Sequence, residues 1–214
     1  MTVRTEQRQA VQRQERSFLL GLVLLALFFS AGIVLGQVLS ERVPAGTGEE
    51  LERYLTGYFS LSRDRSPDRK VLLSTLLIYF RYPVLAFLLG FASAGVVLLP
   101  VVTVAYGFFL SFSVCCFTAS FGGGGVLLAL AVFGLRCFVT LPCYFALAVP
   151  SVQNAAALAT LSFGRSGRRT QPVRYGSEWW LRSGIAAGIL LAGVLLDLFL
   201  SPALLELVLE HILT

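Results

Sequence analysis

A long apolar stretch without a charged side chain lies at the centre of the chain, over residues 84–121. One membrane crossing by an α-helix takes about 20 apolar residues at about 1.5 Å of rise per residue. The stretch is therefore close to two crossings with almost no loop between them. Pro100 lies near its middle, and proline removes a backbone donor and clashes with the preceding helical turn. The pattern predicts two spans, 84–99 and 101–119, joined by a bend at Pro100.

Three further apolar segments predict three more spans. Residues 17–39 follow a polar tail (1–16) as an uncharged run, which is longer than the roughly 7–15 apolar residues of a secretory signal. The next span is predicted over residues 126–149, with Arg136 at about mid-depth and Pro150 as its end. The last is predicted over 183–200. Together these patterns predict an all-α polytopic membrane protein with about five transmembrane helices.

The polar segment 40–81 is predicted to be the long loop outside the membrane. Within it, residues 49–60 place apolar side chains on one helical face, which predicts a short amphipathic helix that lies on the membrane or docks against the spans. Residues 71–82 are apolar but interrupted by Arg81, so they are predicted to lie at the interface and to lead into the second span. The apolar face of the amphipathic helix consists of Leu51, Tyr54, Leu55, Tyr58 and Phe59.

A second amphipathic helix is predicted at the C-terminus, over residues 201–214. Ser201 suits the N-cap and Pro202 the first helical position, so a new helix is expected to begin after the fifth span. The segment before that span, 151–182, is small and polar at first and then basic, which is typical of a cytoplasmic loop.

The composition agrees with a membrane protein. Hydrophobic residues make up 56% of the chain, charged residues 14%, and the mean hydropathy is +0.78, whereas soluble domains carry about 25% charged residues. A single membrane domain, 17–214, is therefore predicted behind the tail. The net charge of +5 would indicate nucleic acid binding in a soluble protein. Here the arginines flank the spans and report orientation, so no nucleic acid partner is expected.

Basic residues near the spans predict the orientation. The tail 1–16 carries four of them and the loop 151–182 carries five, and five spans place both segments on one side of the membrane. The positive-inside rule makes that side cytoplasmic. The loop 40–81 carries seven basic residues, which opposes an outside location for it. The predicted arrangement has the N-terminus in the cytoplasm and the C-terminus outside.

Arg136 and Asp197 are the ionisable residues that the pattern places inside spans. Such residues mark either an ion or proton route or a buried pair that fixes helix register, and we favour the pair. Asp197 is expected nearer the outer surface than Arg136, a gap that a snorkelling arginine side chain would partly close.

Glycine pairs at GxxxG spacing predict close helix packing in two spans, because glycine lets two backbones approach. The pairs are Gly32 with Gly36 in the first span and Gly184 with Gly188 in the fifth. A run of four glycines at 122–125 is read as a flexible turn, since no Gly-Lys-Ser/Thr sequence follows it.

The sequence offers no catalytic constellation. The sole histidine is His211 in the terminal helix, and H-E-x-x-H, G-x-S-x-G and nucleotide-loop motifs are absent. The four cysteines lie in apolar segments without a CxxC pair and are read as small buried residues. We therefore expect a protein that is not an enzyme, with no catalytic residue, cofactor or metal.

The order of these features resembles the stage II sporulation protein M family, from residue 18 onward. The similar segments are AGIVLG (31–36), EELERYL (49–55) followed by Tyr58 and Phe59, the hairpin region 90–107 with Leu99-Pro100, TLP (140–142) and LSPALLE (200–206). One departure lies in the fourth span, where many relatives outside spore-forming bacteria carry Pro-His-Gly and this chain has Leu135-Arg136-Cys137.

The resemblance implies a non-enzymatic scaffold in the mother-cell membrane at the sporulation septum. Such a protein recruits stage II sporulation protein P, which degrades peptidoglycan with protein D so that the forespore is engulfed. The surface expected to dock the partner is the apolar face within residues 49–60, and a second copy of the chain is a further candidate partner. The alternative is a membrane transport component, either a small channel or a permease-like subunit, which the bent hairpin and Arg136 favour slightly.

The predicted orientation can be tested by labelling single cysteines in a background without the four native ones. A thiol reagent that does not cross the membrane should label Gly46→Cys from outside intact cells and leave Gly167→Cys protected. The positive-inside rule sets this expectation, because basic segments stay in the cytoplasm. Labelling of Gly167→Cys but not Gly46→Cys would show that the orientation is inverted.

Overall fold

The computed structural model of the chain describes residues 2–42, 69–121, 134–162 and 176–213, and the long regular elements in those ranges are helices. In chain order they are α1 (Thr2–Ser40), α2 (Arg69–Leu89), α3 (Gly95–Phe121), α4 (Leu135–Ser162) and α5 (Ser177–Leu213). The predicted amphipathic face at residues 51–59, the glycine run 122–125 and the loop residues 163–175 lie outside this description.

Each of the five described helices is long and apolar enough to cross a membrane, which takes about 20 apolar residues. This confirms the predicted class, an all-α polytopic membrane protein. The candidate spans are Glu15–Ser40, Leu72–Leu89, Gly95–Cys116, Arg136–Ser162 and Trp179–Leu198. The first and last agree closely with the spans predicted from the sequence, whereas the middle three are shifted.

The central hairpin turns at residues 90–94, so the predicted bend at Pro100 is wrong. Small residues allow the chain to turn here. A Cβ atom on Gly90 would lie 2.7 Å from the Ser151 Oγ, and one on Gly95 would collide with the last carbonyl of α2. Pro100 lies inside α3 and costs one helical hydrogen bond. The turn therefore forms where the backbone can approach its neighbours, not where the proline lies.

The second span also begins earlier than predicted. Residues 71–82, expected at the interface, belong to α2, and Arg81 lies inside the span Leu72–Leu89. One arginine does not end a helix, because the helical hydrogen bonds are made by the backbone. Its guanidinium donates to the hydroxyl oxygen of Tyr82 over 2.7 Å.

α4 continues past Pro150 to Ser162, where the sequence predicted the end of a span and a loop. The residues after the proline are small and pack on the hairpin; a Cβ atom on Gly95 would lie 3.0 Å from that of Ala155. Small and polar residues keep the mean hydropathy of this span at 1.2, the lowest of the five described. The pattern of apolar residues in the sequence therefore missed the last part of this span, residues 151–162. The predicted segment 126–133 lies outside the described residues.

α5 runs without a break past Ser201 and Pro202, so the predicted start of a separate helix at Ser201 is wrong. A proline within a helix removes one backbone donor and strains one turn. Ending the helix there would leave several backbone groups unpaired beside the membrane, which costs more.

Contacts between the helices show that successive spans alternate in direction. Gly32 meets α3 at Val104, and Gly36 meets it four residues further on at Phe108, so α1 and α3 are parallel. The hydroxyl contacts of α3 with α4 run in opposite order along the two helices, from 103 with 144 to 106 with 140. Trp179 at the start of α5 stacks on Phe87 near the end of α2, so α5 begins beside the hairpin turn. The start of the first span and the end of the fifth therefore lie at opposite ends of the bundle. We call the end that holds residues 90–94 the turn end.

α1 and α3 pack with their backbones in contact. A Cβ atom on Gly32 would collide with the carbonyl of Val104, and one on Gly36 would lie 2.7 Å from the carbonyl oxygen of Phe108. This arrangement agrees with the GxxxG prediction for the first span. Gly184 and Gly188 differ: a Cβ atom on either would meet nothing within 4 Å in the described structure, so the packing predicted for them is not made there.

Two clusters of buried side chains fill the bundle. The larger joins α1, α2, α3 and α4 and the smaller joins α2, α4 and α5. The larger consists of Leu25, Ala86, Leu99, Tyr106, Tyr144, Ala148 and Val149, and the smaller of Tyr79, Cys143, Leu147, Ala186, Leu190 and Val194. α2 and α4 contribute to both, so they form the centre of the molecule.

The asymmetry between the two glycine pairs gives a matched test. Gly32→Leu should lower the free energy of unfolding by about 1–3 kcal/mol or more, because a side chain cannot fit against the α3 backbone. Gly184→Leu should change it by less than about 0.5 kcal/mol, since that position faces open space. Thermal unfolding of both variants in the same detergent measures the difference. Equal losses would contradict the α1–α3 contact described here.

Candidate functional site

Arg136 and Asp197 form an ion pair between α4 and α5. The Arg136 Nη2 lies 3.0 Å from the Asp197 Oδ2, and the carboxylate is buried while the arginine side chain is one-fifth exposed (20%). This contact places Arg136 and Asp197 at the same level of the bundle, so the depth gap expected between them is absent.

Tyr79 of α2 joins this pair. The Arg136 Cζ lies 5.5 Å from the centroid of the Tyr79 ring, within cation–π range. Tyr79 is fully buried, and Gly193 of α5 makes the room for it: a Cβ atom there would lie 3.1 Å from the ring. The three helices α2, α4 and α5 therefore meet at one charged and aromatic contact.

Two hydroxyl pairs connect α3 to α4 inside the membrane. Thr103 contacts Tyr144 and Tyr106 contacts Thr140, each over 2.8 Å between oxygens. Each threonine also donates to the carbonyl four residues before it, 2.7 Å away for Thr103 and 2.8 Å for Thr140. A hydroxyl has one proton, so each tyrosine donates to its threonine. The acceptor carbonyl of Thr140 is that of Arg136, which ties this network to the ion pair.

Aromatic rings extend the network to α1 and α2. Tyr106 stacks on Tyr82 with ring centroids 4.2 Å apart, and Phe29 of α1 lies edge-on to Tyr106 at 5.8 Å. Tyr82 in turn meets Arg81, whose Cζ lies 4.5 Å from its ring centroid. Offset and edge-on ring pairs each add about 0.5–1.5 kcal/mol beyond simple burial. The tyrosines therefore hold four helices in one register.

A cavity of about 130 Å³, open on one side, lies beside these tyrosines and is lined by residues of α2, α3 and α4. Its lining includes both arginines, Arg81 and Arg136, and is otherwise aromatic, hydroxyl-bearing and apolar. The remaining lining residues are Ile78, Tyr79, Tyr82, Pro83, Tyr106, Phe109, Leu110, Ser113, Cys137 and Thr140. In the described part of the chain, no three His, Cys, Asp or Glu side chains cluster as metal ligands.

The structure thus brings Arg136 and Asp197 together and adds residues that the sequence analysis missed. Tyr79, Tyr82 and Tyr106 carry no motif, and they become informative only through their neighbours. Arg81 did carry a signal, since an arginine that interrupts an apolar segment marks an intramembrane charge once that segment is recognised as a span.

The pairing of Arg136 with Asp197 predicts non-additive losses of stability. Arg136→Leu and Asp197→Leu should each destabilise the protein, because each leaves one charge without its partner. The double variant should lose less than the sum of the two by about 0.5–3 kcal/mol. Chemical or thermal unfolding in detergent measures the three values. Additive losses would show that the two side chains do not interact in the folded protein.

Comparison of this chain with known protein families, with curated proteins and with solved structures finds no match. What the protein does must therefore be inferred from its own residues and their geometry. The chain is therefore a multi-pass membrane protein. Contacts of tyrosine, threonine, arginine and aspartate side chains help to hold its five described helices together.

Proposed function

We propose that this protein is a non-enzymatic scaffold of the cell membrane, as its resemblance to the stage II sporulation protein M family implies. In this role it recruits and positions a peptidoglycan-degrading complex, formed by stage II sporulation proteins P and D, at the septum during engulfment of the forespore. It resides in the mother-cell membrane with its N-terminus in the cytoplasm and its C-terminus outside.

The observation that supports a scaffold most directly is that side-chain contacts in the bundle interior connect the helices to one another. The buried clusters, the two hydroxyl pairs and the Arg136–Asp197 ion pair join all five described helices by side-chain contact. Packed interiors of this kind resist deformation. A platform that holds partners in fixed positions needs such rigidity in the membrane and docking segments outside it.

The docking segment in this proposal is the amphipathic face of residues 51–59, which is predicted to lie outside the membrane. It carries three aromatic residues among its five, and aromatic side chains are enriched at the energetic centres of protein interfaces. An amphipathic helix that lays its apolar face on a partner is a common recognition mode.

The scaffold is tested by the variant Tyr54→Ala with Tyr58→Ala. It should stay inserted and abundant but lose co-purification of the wall-degrading partner, because two aromatic anchors are removed. A matched control changes two charged residues of the same segment, Glu50→Ala with Glu52→Ala, and should keep the partner. Retained binding at normal abundance in the tyrosine variant would refute this docking face. Degradation of that variant would show that the face packs on the spans or on lipid.

A transport component is the second candidate function, and the cavity with two arginines favours it. Intramembrane arginines that line a cavity are found on ion and substrate paths. In proteoliposomes the scaffold proposal predicts no ion flux above that of empty vesicles, for the natural chain and for Arg136→Leu alike. A conductance that is present in the natural chain and abolished in Arg136→Leu would replace the scaffold with a transporter.

A further inference from the structure

Arg81 occupies an unusual place for a charged residue. It is exposed near the middle of the span Leu72–Leu89, on the face of α2 that also carries exposed apolar side chains. Those neighbours are Leu77, Ile78, Val84, Leu85 and Leu88. A guanidinium in the hydrocarbon region is costly unless it reaches water, a lipid headgroup or an opposite charge. The position therefore requires a partner for the charge.

The helix geometry sets the direction in which Arg81 extends. Side chains of an α-helix tilt toward its N-terminus. The N-terminus of α2 lies away from the turn end, because α2 ends next to residues 90–94. Arg136 precedes Thr140 in α4, and Thr140 contacts Tyr106 of α3, so Arg136 lies further from the turn end than that contact. The two arginines therefore approach one half of the membrane, where both line the same cavity.

The charges around this cavity do not balance. The charge of Arg136 is neutralised by Asp197, whereas Arg81 contacts the hydroxyl oxygen and the ring of Tyr82. Among the described residues, no carboxylate forms an ion pair with Arg81. The Nε–H of Arg136 is also buried without an acceptor in the described part of the chain. Among the described residues, two guanidinium groups against one carboxylate give this cluster a net positive charge, and the Arg136 Nε–H is a donor without an acceptor.

The size and lining of the cavity fit a small oxyanion. Its volume of about 130 Å³ leaves room for a group larger than one water molecule. Guanidinium groups bind phosphate oxygens in a forked geometry that lysine cannot match. Ser113, which lines the same cavity, donates its single proton to the carbonyl of Phe109, so it has no proton left for a phosphate oxygen and the arginines provide the recognition.

We propose that this cavity binds a phosphate group between Arg81 and Arg136, in the half of the membrane away from the turn end. The phosphate belongs either to an anionic lipid headgroup or to a free phosphate ion, since both present the same oxygens to the guanidinium groups. Bound there, one negative charge neutralises the cluster. The site is independent of the scaffold proposal, because it concerns the spans and not the docking segment.

The test measures the thermal unfolding of the full chain, purified in a neutral detergent and stripped of lipid. Phosphatidylglycerol, phosphatidylcholine or inorganic phosphate is then added to separate samples. Phosphatidylglycerol should raise the unfolding temperature by several degrees and phosphatidylcholine should not, because a ligand that binds only the folded state stabilises it by mass action. An equal shift with the zwitterionic lipid, or no shift with any addition, would overturn the proposal.

Three variants locate the site. Arg81→Gln should lose most of the shift with phosphatidylglycerol. Two exposed arginines outside the cavity serve as controls: Arg42 at the end of the bundle nearer the cavity, and Arg182 at the turn end. Arg42→Gln and Arg182→Gln should keep the full shift. Unchanged binding in Arg81→Gln, or an equal loss in Arg42→Gln, would show that the effect is general surface charge.

The same samples separate the two sources of the phosphate. A shift that millimolar inorganic phosphate reproduces in full supports the site with a free ion as its ligand. A shift confined to phosphatidylglycerol supports the site with a lipid headgroup. If Arg81→Gln does not fold, Arg81→Lys takes its place, and native mass spectrometry counts the phosphatidylglycerol that each protein retains. Retention by Arg81→Lys equal to that of the natural chain would overturn the forked recognition of phosphate.

Discussion

A polar group inside a bilayer must find its partner within the protein, because no water competes for it. Several polar side chains of the described helices follow this constraint. The tyrosine and threonine hydroxyls pair across α3 and α4, and each threonine also donates a hydrogen bond to a backbone carbonyl of its own helix. Arg136 and Asp197 pair across α4 and α5. These few directional contacts select one register for the bundle, since apolar side chains pack in lipid almost as well as against each other.

Close approach of the backbones is the second element of the architecture. Without a hydrophobic difference between lipid and protein interior, helices gain by bringing many atoms into van der Waals contact, and small residues allow this. Gly32 and Gly36 bring α1 onto α3, while Gly90 and Gly95 set the hairpin turn against α4. Prolines are accommodated inside α2, α3 and α4. Each removes a single backbone hydrogen bond, and the packing around it keeps the helix continuous.

The intramembrane cluster combines two properties that serve different purposes. Its tyrosine core is closed and connects four helices, which suits a rigid platform for partners. Its edge carries two arginines beside a cavity between α2, α3 and α4. A platform that also binds the phosphate of a lipid headgroup would be anchored by that lipid as well as by its own spans. Both properties arise from one place in the fold, where Arg81, Arg136 and the stacked tyrosines Tyr82 and Tyr106 line the same cavity.

The sequence alone determined the membrane class, the number of spans and the approximate course of the first and fifth, because uncharged runs of about 20 residues have few other structural solutions. It also identified Gly32, Gly36, Arg136 and Asp197 as residues with a special role. Only the tertiary structure decided where the hairpin turns and how far α4 extends, because small residues such as Gly95 and Ala155 have low hydropathy and matter through what they allow to approach. Only the structure brought Arg81 into one cavity with Arg136. These two residues lie far apart in the chain, and such neighbours follow from packing and not from any local pattern.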